Sequence, residues 1–448
     1  MLKKFSSKLF THLNTDSLRN RFIKGVAGSF GLKIFSTALN FIRSLMFARL
    51  LGTEGLGIYT YAITWVGLFR VPATLGLPTL IVREVAIYQA QSSWGLSKGL
   101  LRWSNYIVLL VSIVLSLIAG GIFWSLNIGK DFQTLLTISI ALLSLPINSL
   151  VSLKSATIKG LHKVVLAQVP VLIIAPLLLI ILTGFGYLFL KENLNASWVM
   201  GINFAATCIA FIISTWLLGR ELPKVVKDAA PEYQTQKWIR SCLPLIFLGF
   251  TGTINSQTDI LMLGTLKGAE SVGIYMVINR ITSLVVFILM TVNSLLAPTT
   301  ASLYAEGKMK QLQRVITKSS RLVFLVSFIA AIILIGFSDS FLLLFGRDFV
   351  QGKNPMVVLI IAQLFNASVG PVNLLLTMTN NEKYTAMSVA IGAVLNVVLN
   401  ALLIPQWGLT GAAVATATSM ILWNFISLIL VNKKLGIDST ALGIFTSY

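Results

Sequence analysis

The chain has 448 residues, of which 56% are hydrophobic and only 11% charged, with a formal net charge of +20. This balance excludes a soluble protein and predicts an all-α, polytopic membrane protein of about 12 transmembrane helices. Two cysteines, Cys208 and Cys242, and two histidines match neither a disulfide framework nor a metal-ligand spacing.

Met1 to Lys24 is basic and amphipathic, with no continuous apolar run and no small-residue cleavage site. It reads as a helix on the cytoplasmic membrane surface rather than a signal peptide. Twelve spans follow, at 24–48, 55–82, 104–126, 133–157, 164–189, 196–219, 241–265, 271–299, 321–345, 354–379, 385–404 and 407–432. Helices are the expected form because lipid offers the backbone no hydrogen-bond partner.

The first span carries Ser29, Lys33, Ser36, Thr37, Asn40, Arg43 and Ser44. At about 100° per residue these occupy one arc of roughly 120°, a continuous polar face. Ionisable groups are costly in lipid, so this face is expected to line a cavity, although Lys33 and Arg43 each lie within snorkelling reach of a surface. Arg70 sits near the middle of the second span, sharing a broad face with Thr60, Thr64, Gly67 and Thr74, too deep to snorkel easily. An internal ion pair, or a bond to backbone freed near Pro72, is its structural alternative. Pro72, Pro78, Pro146, Pro170, Pro176 and Pro244 predict kinks. The charged stretch from Arg220 to Arg240 is the natural linker between an N-terminal lobe, 1–230, and a C-terminal lobe, 231–448.

In the seventh span Asp259 is the single intramembrane acid, on a face with Thr251, Gly252, Asn255 and Thr258. It is either the partner of a buried arginine or a proton or sodium site that drives transport. Arg280 follows in the eighth span beside Asn279 and near Ser283. Asn396 and Asn400, one turn apart in the eleventh, can supply oxygen ligands or interhelical hydrogen bonds. The run from Gly411, GAAVATATS, reads as a small-residue packing face.

The two halves look like copies. Leu51-Gly52-Thr53 precedes Gly57-Ile58-Tyr59, and Leu263-Gly264-Thr265 precedes Gly273-Ile274-Tyr275 with four extra residues between. From there an ungapped offset of 216 aligns Tyr88 with Tyr304, Lys98 with Arg314, Arg102 with Lys318 and Ser104 with Ser320. Six spans per copy enter from the same side, a repeat whose substrate path is expected between the halves. With the amino terminus inside, inner segments hold 25 Lys and Arg, against 6 in the outer loops: Arg49, Lys130, Lys191, Lys267, Arg347 and Lys353. This positive-inside bias puts both termini in the cytoplasm and accounts for the basic charge without nucleic acid. Short outer loops with no paired carboxylates or acid/base His argue against a polymerase or ligase, so no enzymatic activity is expected.

Two stretches carry a family resemblance: ARLLGTEGLGIYTYA (Ala48 to Ala62), with its echo around Asp259, Gly264 and Gly273-Ile274-Tyr275, and LNVVLNALLIPQWGLTGAAVATATS (Leu395 to Ser419). They resemble the polysaccharide transporter family, the Wzx-type flippases of the multidrug/oligosaccharidyl-lipid/polysaccharide flippase superfamily. The resemblance covers nearly the whole chain and implies two pseudo-symmetric six-helix bundles. It implies alternating-access transport of undecaprenyl-diphosphate-linked oligosaccharide to the outer leaflet of the bacterial inner membrane, for O-antigen, capsule or exopolysaccharide. Lys33, Asn40, Arg43, Arg70 and Arg280 would bind substrate, and Asp259, Asn255 and Asn396 would form a cation-coupling site for Na+ or H+. Besides substrate and membrane lipids, polysaccharide polymerase machinery is the partner implied. The alternatives within the superfamily are a cation-coupled multidrug extruder, which would want acids rather than arginines, and a lipid II flippase, which usually carries two further helices.

The chemistry agrees. A lipid diphosphate cannot cross lipid without replacing its hydration, and arginine offers phosphate a bidentate fork. A negative interior favours outward movement of an uncompensated dianion by roughly 4–5 kcal/mol per 100 mV, so voltage alone is a sufficient drive.

Overall fold

The computed structural model describes residues 15–126, 131–190, 194–441 and 443, and of residues 15–27, 190 and 248 the backbone alone. The described residues are helical with no strand. The surface helix expected over Met1–Lys24 lies outside them as far as Asn14, as do the loop cations Lys130 and Lys191.

The first helix, α1, runs from Thr15 to Thr74. Straight, its 60 residues would reach about 90 Å, three times the hydrocarbon core. It folds back at Gly52 (φ 69°, ψ −172°), a conformation open to glycine. The rings of Phe47 and Tyr59 consequently meet edge to face at 5.1 Å across the hairpin. The last helix, α14 (Glu382–Leu435), makes a similar hairpin: it reverses at Gly408 and brings Asn396 Nδ2 within 3.3 Å of Thr416 Oγ1.

Between them lie α2 (Leu77–Ala90), α3 (Trp94–Ser125), α4 (Phe132–Gly160), α5 (Val164–Val169, a π turn Pro170–Ile174, then Ala175–Leu190), α6 (Ala196–Glu221) and the short α7 (Lys224–Asp228). The second half continues with α8 (Thr235–Lys267), α9 (Ala269–Ala305), α10 (Met309–Gly336), α11 (Ser338–Phe345), α12 (Lys353–Val369) and α13 (Val372–Met378). Among the described residues eight helices are long and apolar enough to cross a membrane. Two of those eight, α1 and α14, are each doubled at a glycine. A broken pair through α12 and α13, bent by 43°, is a ninth candidate span. The expected span 55–82 is interrupted at Leu75 and Gly76 (φ 52° and 68°), between Pro72 and Pro78, where α2 begins. The span 354–379 is broken at Gly370-Pro371 for the same reason: proline withholds a backbone donor.

Helices α1 to α6 pack chiefly on one another, as do α8 to α14, and the two sets meet along α1 against α8 and α9. Phe47, Leu56, Tyr59, Ile274, Tyr275 and Ile278 form the buried centre of that seam. The contact is reciprocal under the sequence duplication. A Cβ on Gly57 would lie 1.7 Å from the Ala269 carbonyl oxygen, and one on Gly273 would lie 2.0 Å from that of Thr53. Gly57 and Gly273 are related by the offset of 216, and each approaches the residue four positions before the other. The two GIY motifs are thus the crossing point of two helices whose backbones touch.

One element crosses this division. The root of α8 buries Trp238 and Cys242 among Leu77, Leu80, Tyr88 and Leu100 of the first half, while its far end packs on α14. After α14 the chain returns as a buried strap, Ile437–Ala441. Its Ala441 N–H donates to the Ser368 carbonyl (2.9 Å) and Ser439 Oγ to that of Val369 (2.9 Å), serving carbonyls freed by the Gly370-Pro371 break. Gln313 of α10 donates to the Asp438 carbonyl at 2.6 Å and accepts from the Asp438 N–H at 2.9 Å. Gln313→Ala removes both bonds and is expected to destabilise the second half by about 1–2 kcal/mol, read as a lower thermal midpoint of the detergent-solubilised protein.

Candidate functional site: two cation groups and a buried carboxylate

A cavity of about 820 Å³ opens between α1, α2, α4 and α5. Its wall carries Lys33 and Arg70 from the two arms of the α1 hairpin, Arg83 from α2 and Lys159 from α4. Thr74, Ser152, Ser155 and Gln168 supply neutral polar groups. The π turn that starts at Pro170 loosens α5 beside Gln168. None of the lining residues is acidic. Lys33 and Lys159 are near enough for their charges to interact. Among the described residues the Arg70 guanidinium makes no hydrogen bond or ion pair, although its carbonyl accepts from Thr74 Oγ1 at 2.9 Å, and the buried Gln168 Oε1 has no donor. Arg83 alone is held by a carboxylate, that of Glu84, with Nε at 3.1 Å and Nη2 at 3.0 Å from Oε1.

The second cation group lies at the seam. Along the polar face of α1, Asn40 Nδ2 donates to the Ser36 carbonyl (2.8 Å) and Ser44 Oγ donates to the Asn40 carbonyl (2.8 Å). Arg280 Nε of α9 donates to that same Ser44 Oγ at 3.1 Å. Arg43, beside Ser44, is close enough to Arg280 and Tyr59 for charge to be felt. No carboxylate pairs with Arg43 or Arg280 among the described residues. The structure therefore sorts the expected substrate residues into two sets: Lys33 with Arg70, and Arg43 with Arg280, with Asn40 bonded along α1 between them. Ten residues of helix separate Lys33 from Arg43, about 15 Å.

Asp259 belongs to neither set. Its Oδ1 accepts from Asn400 Nδ2 (2.8 Å), and its Oδ2 from Tyr275 OH (3.0 Å) and Thr416 Oγ1 (2.5 Å). Asn396 stands behind, its Oδ1 accepting from Asn400 (3.1 Å) and its Nδ2 donating to Thr416. No arginine or lysine pairs with this carboxylate among the described residues, so of the two sequence readings the ion pair is not formed. Asn255 makes no hydrogen bond to it. Asn400 Oδ1 is buried without a donor. One carboxylate, two amide oxygens and two hydroxyls gathered by three helices form a hard-oxygen cluster of the kind a monovalent cation or proton uses.

Arg83, Lys159, Gln168, Tyr275 and Thr416 escaped the sequence reading. Lys159 and Arg83 count there as positive-inside charges, and Thr416 as part of a packing run. Tyr275 was marked by the GIY repeat, but only as a fold motif. In the first half the matching Tyr59 OH accepts from Asn203 Nδ2 at 2.6 Å, and Phe47 stands beside it where the second half has Asp259. Only one copy of the duplicated unit carries the acid.

Comparisons with known proteins bear on the family and the fold. The family model described as polysaccharide biosynthesis protein matches residues 22–304, and the MatE model matches 244–402. The probable low-salt glycan biosynthesis flippase Agl15 of Haloferax volcanii is 24% identical over 395 residues, covering 86% of this chain and 78% of that one. The inward-facing structure of a multidrug resistance MATE family transporter of the MOP superfamily superposes with a TM-score of 0.72 at 12% identity, covering 90% of this chain and 94% of that one. Lipid II flippase MurJ, in its inward closed conformation, gives 0.69 at 16% identity, covering 90% and 87%. At these identities the two structures speak for the fold.

Proposed function

The chain belongs to the polysaccharide biosynthesis protein family of the MOP flippase superfamily, and from that membership we propose that it moves undecaprenyl-diphosphate-linked oligosaccharide from the inner to the outer leaflet of the bacterial inner membrane. It is a multi-pass membrane protein of transporter type, and both termini are assigned to the cytoplasm. The repeat units so delivered would feed O-antigen, capsule or exopolysaccharide assembly, where a polymerase is the expected partner.

The observation that carries this reading is the pair of cation groups in which, among the described residues, no carboxylate pairs with Arg70, Arg43 or Arg280. A cation placed in a membrane span without a carboxylate partner is expensive, so an anionic ligand is the natural complement. A cavity of this volume falls within the about 300–1,000 Å³ that encloses a drug-sized ligand, enough for a diphosphate and its first sugars. The prenyl tail would remain in lipid. Arg43 and Arg280 lie on facing sides of the seam, where alternating access would expose a diphosphate first to one leaflet and then to the other.

Reconstituted vesicles holding a fluorescent undecaprenyl-diphosphate oligosaccharide provide the test. Under an inside-negative potential the protein is expected to carry the label outward well above the rate of protein-free vesicles. Equal rates would end the reading.

The cluster around Asp259 is proposed as the coupling site for Na+ or H+. Asp259→Asn keeps the hydrogen-bonding shape and removes the charge. It is expected to abolish any acceleration of transport by a Na+ or pH jump and to slow transport by about tenfold, the scale of one lost charge contact. A variant that still responds to either jump as the wild type does would remove Asp259 from the coupling role.

A further inference from the structure

Residues adjacent in a helix point about 100° apart and do not face each other. Arg83 and Glu84 are nevertheless paired, so the Arg83 guanidinium bends along α2 to reach its neighbour while the residue borders the cavity. Glu84 is 3% exposed, and a carboxylate so buried needs cationic partners. Its second oxygen, Oε2, finds one in Lys237 Nζ, 3.7 Å away at the root of α8. Lys237 also lies over the Tyr88 ring at 5.9 Å, and the next residue, Trp238, donates its indole N–H to Tyr88 OH at 3.0 Å. One buried carboxylate thus holds two cations: one borders the N-terminal cavity, the other stands on the first span of the second half.

The remaining cavity cations, Lys33, Arg70 and Lys159, have no carboxylate partner among the described residues. A phosphate group attracted by them presents Arg83 with a second acceptor, and phosphate matches the guanidinium fork at least as well as a carboxylate does. Glu84, deprived of Arg83, still has Lys237 to turn to. Only side-chain rotations are needed.

We infer that Glu84 is an internal counter-anion that holds Arg83 until a phosphate group of the substrate takes its place, whereupon Glu84 closes on Lys237 and draws the root of α8 toward α2. The inference rests on the proposed transport of a lipid diphosphate. It makes Arg83 a substrate-binding residue and Glu84 a positioning residue. Loading of the cavity is thereby coupled to a contact between the two halves of the chain. A carboxylate that competes with substrate also sets a threshold: singly charged lipids that cannot outbid Glu84 would leave Arg83 where it is.

The test uses the full chain in nanodiscs, titrated with undecaprenyl diphosphate in the bilayer and, separately, with inorganic diphosphate in water. Glu84→Gln frees Arg83 and is expected to bind about fivefold tighter while translocating about tenfold more slowly, a split that lost folding cannot produce. Adding Arg83→Gln should erase the gain. Lys237→Gln, outside the cavity, leaves Glu84 to Arg83 alone and should bind about threefold more weakly. A gain confined to the lipid identifies a lipid headgroup as the competitor, and an equal gain toward inorganic diphosphate identifies the free anion. Both outcomes support the exchange. Glu84→Gln that binds no tighter overturns it; if that variant does not fold, unchanged affinity in Lys237→Gln does so instead. Wild-type protein that binds neither probe defeats the proposed function itself, a result distinct from either.

Discussion

Gly57→Leu is expected to yield essentially no folded protein, and Gly57→Ala to be nearly as damaging. The alanine Cβ alone would stand 1.7 Å from the Ala269 carbonyl oxygen, a backbone atom that no rotamer change can move aside. Relief requires α1 and α9 to separate along the seam that joins the two halves, where Tyr59, Tyr275 and Ile278 are buried. Overpacking a core typically costs about 1–3 kcal/mol when side chains can adjust, and a backbone clash exceeds that range. Gly273→Ala should behave in the same way, because its Cβ would meet the Thr53 carbonyl. Gly201→Ala in α6 is the control: an added Cβ there meets nothing within 4 Å, and exchanging glycine for alanine in a helix gains about 0.5–1 kcal/mol. Monodisperse yield from membranes, read by size-exclusion chromatography, separates the cases. Wild-type yield from Gly57→Ala would mean that the helices do not cross backbone to backbone.

The second large effect is on transport with the fold preserved. Arg70→Ala and Arg280→Ala each remove a cation that pairs with no carboxylate among the described residues, so neither leaves an orphaned acid behind there. If these guanidinium groups hold substrate phosphate, each loss should cost about 2–3 kcal/mol, a fall of roughly 30- to 150-fold in transport. Arg280→Lys should recover less than its charge suggests, since an ammonium reproduces neither the fork nor the Nε contact to Ser44 Oγ. Surface glycan in a deletion strain, normalised to protein in the membrane, reports the result. Arg347→Ala, an exposed cation outside both groups, should be silent. Normal glycan from both Arg70→Ala and Arg280→Ala would remove phosphate binding from these positions.

Much of this was legible from residue order. Apolar runs of span length identified a helical membrane protein, and the repeated LGT and GIY motifs announced the duplication. Lys33, Arg43, Arg70, Arg280 and Asp259 stand out in a sequence because an ionisable side chain within an apolar run is rare and costly. What such a residue touches is a different matter. Asp259 and Arg280 are 21 positions apart, and a sequence allows them to pair. The folded chain turns Asp259 toward Asn400 and Thr416 of the α14 hairpin and sends Arg280 to Ser44. Lys159 and Arg83 were indistinguishable from the positive charges that flank any inner span.

The sequence by itself determined the solvent in which this chain folds, the helical form of its segments and which few charges fall within its apolar runs. Each of these follows from hydropathy, backbone hydrogen bonding or local order along the chain. Tertiary structure alone decided that the cations form two groups about 15 Å apart along α1, that the acid sits among amides and hydroxyls, and that Glu84 links the two halves. The physical reason is that contacts between helices depend on how hairpins at Gly52 and Gly408 fold back and how closely Gly57 and Gly273 let the backbones approach. Those distances are set by packing in three dimensions, and charge and periodicity read along one helix do not contain them.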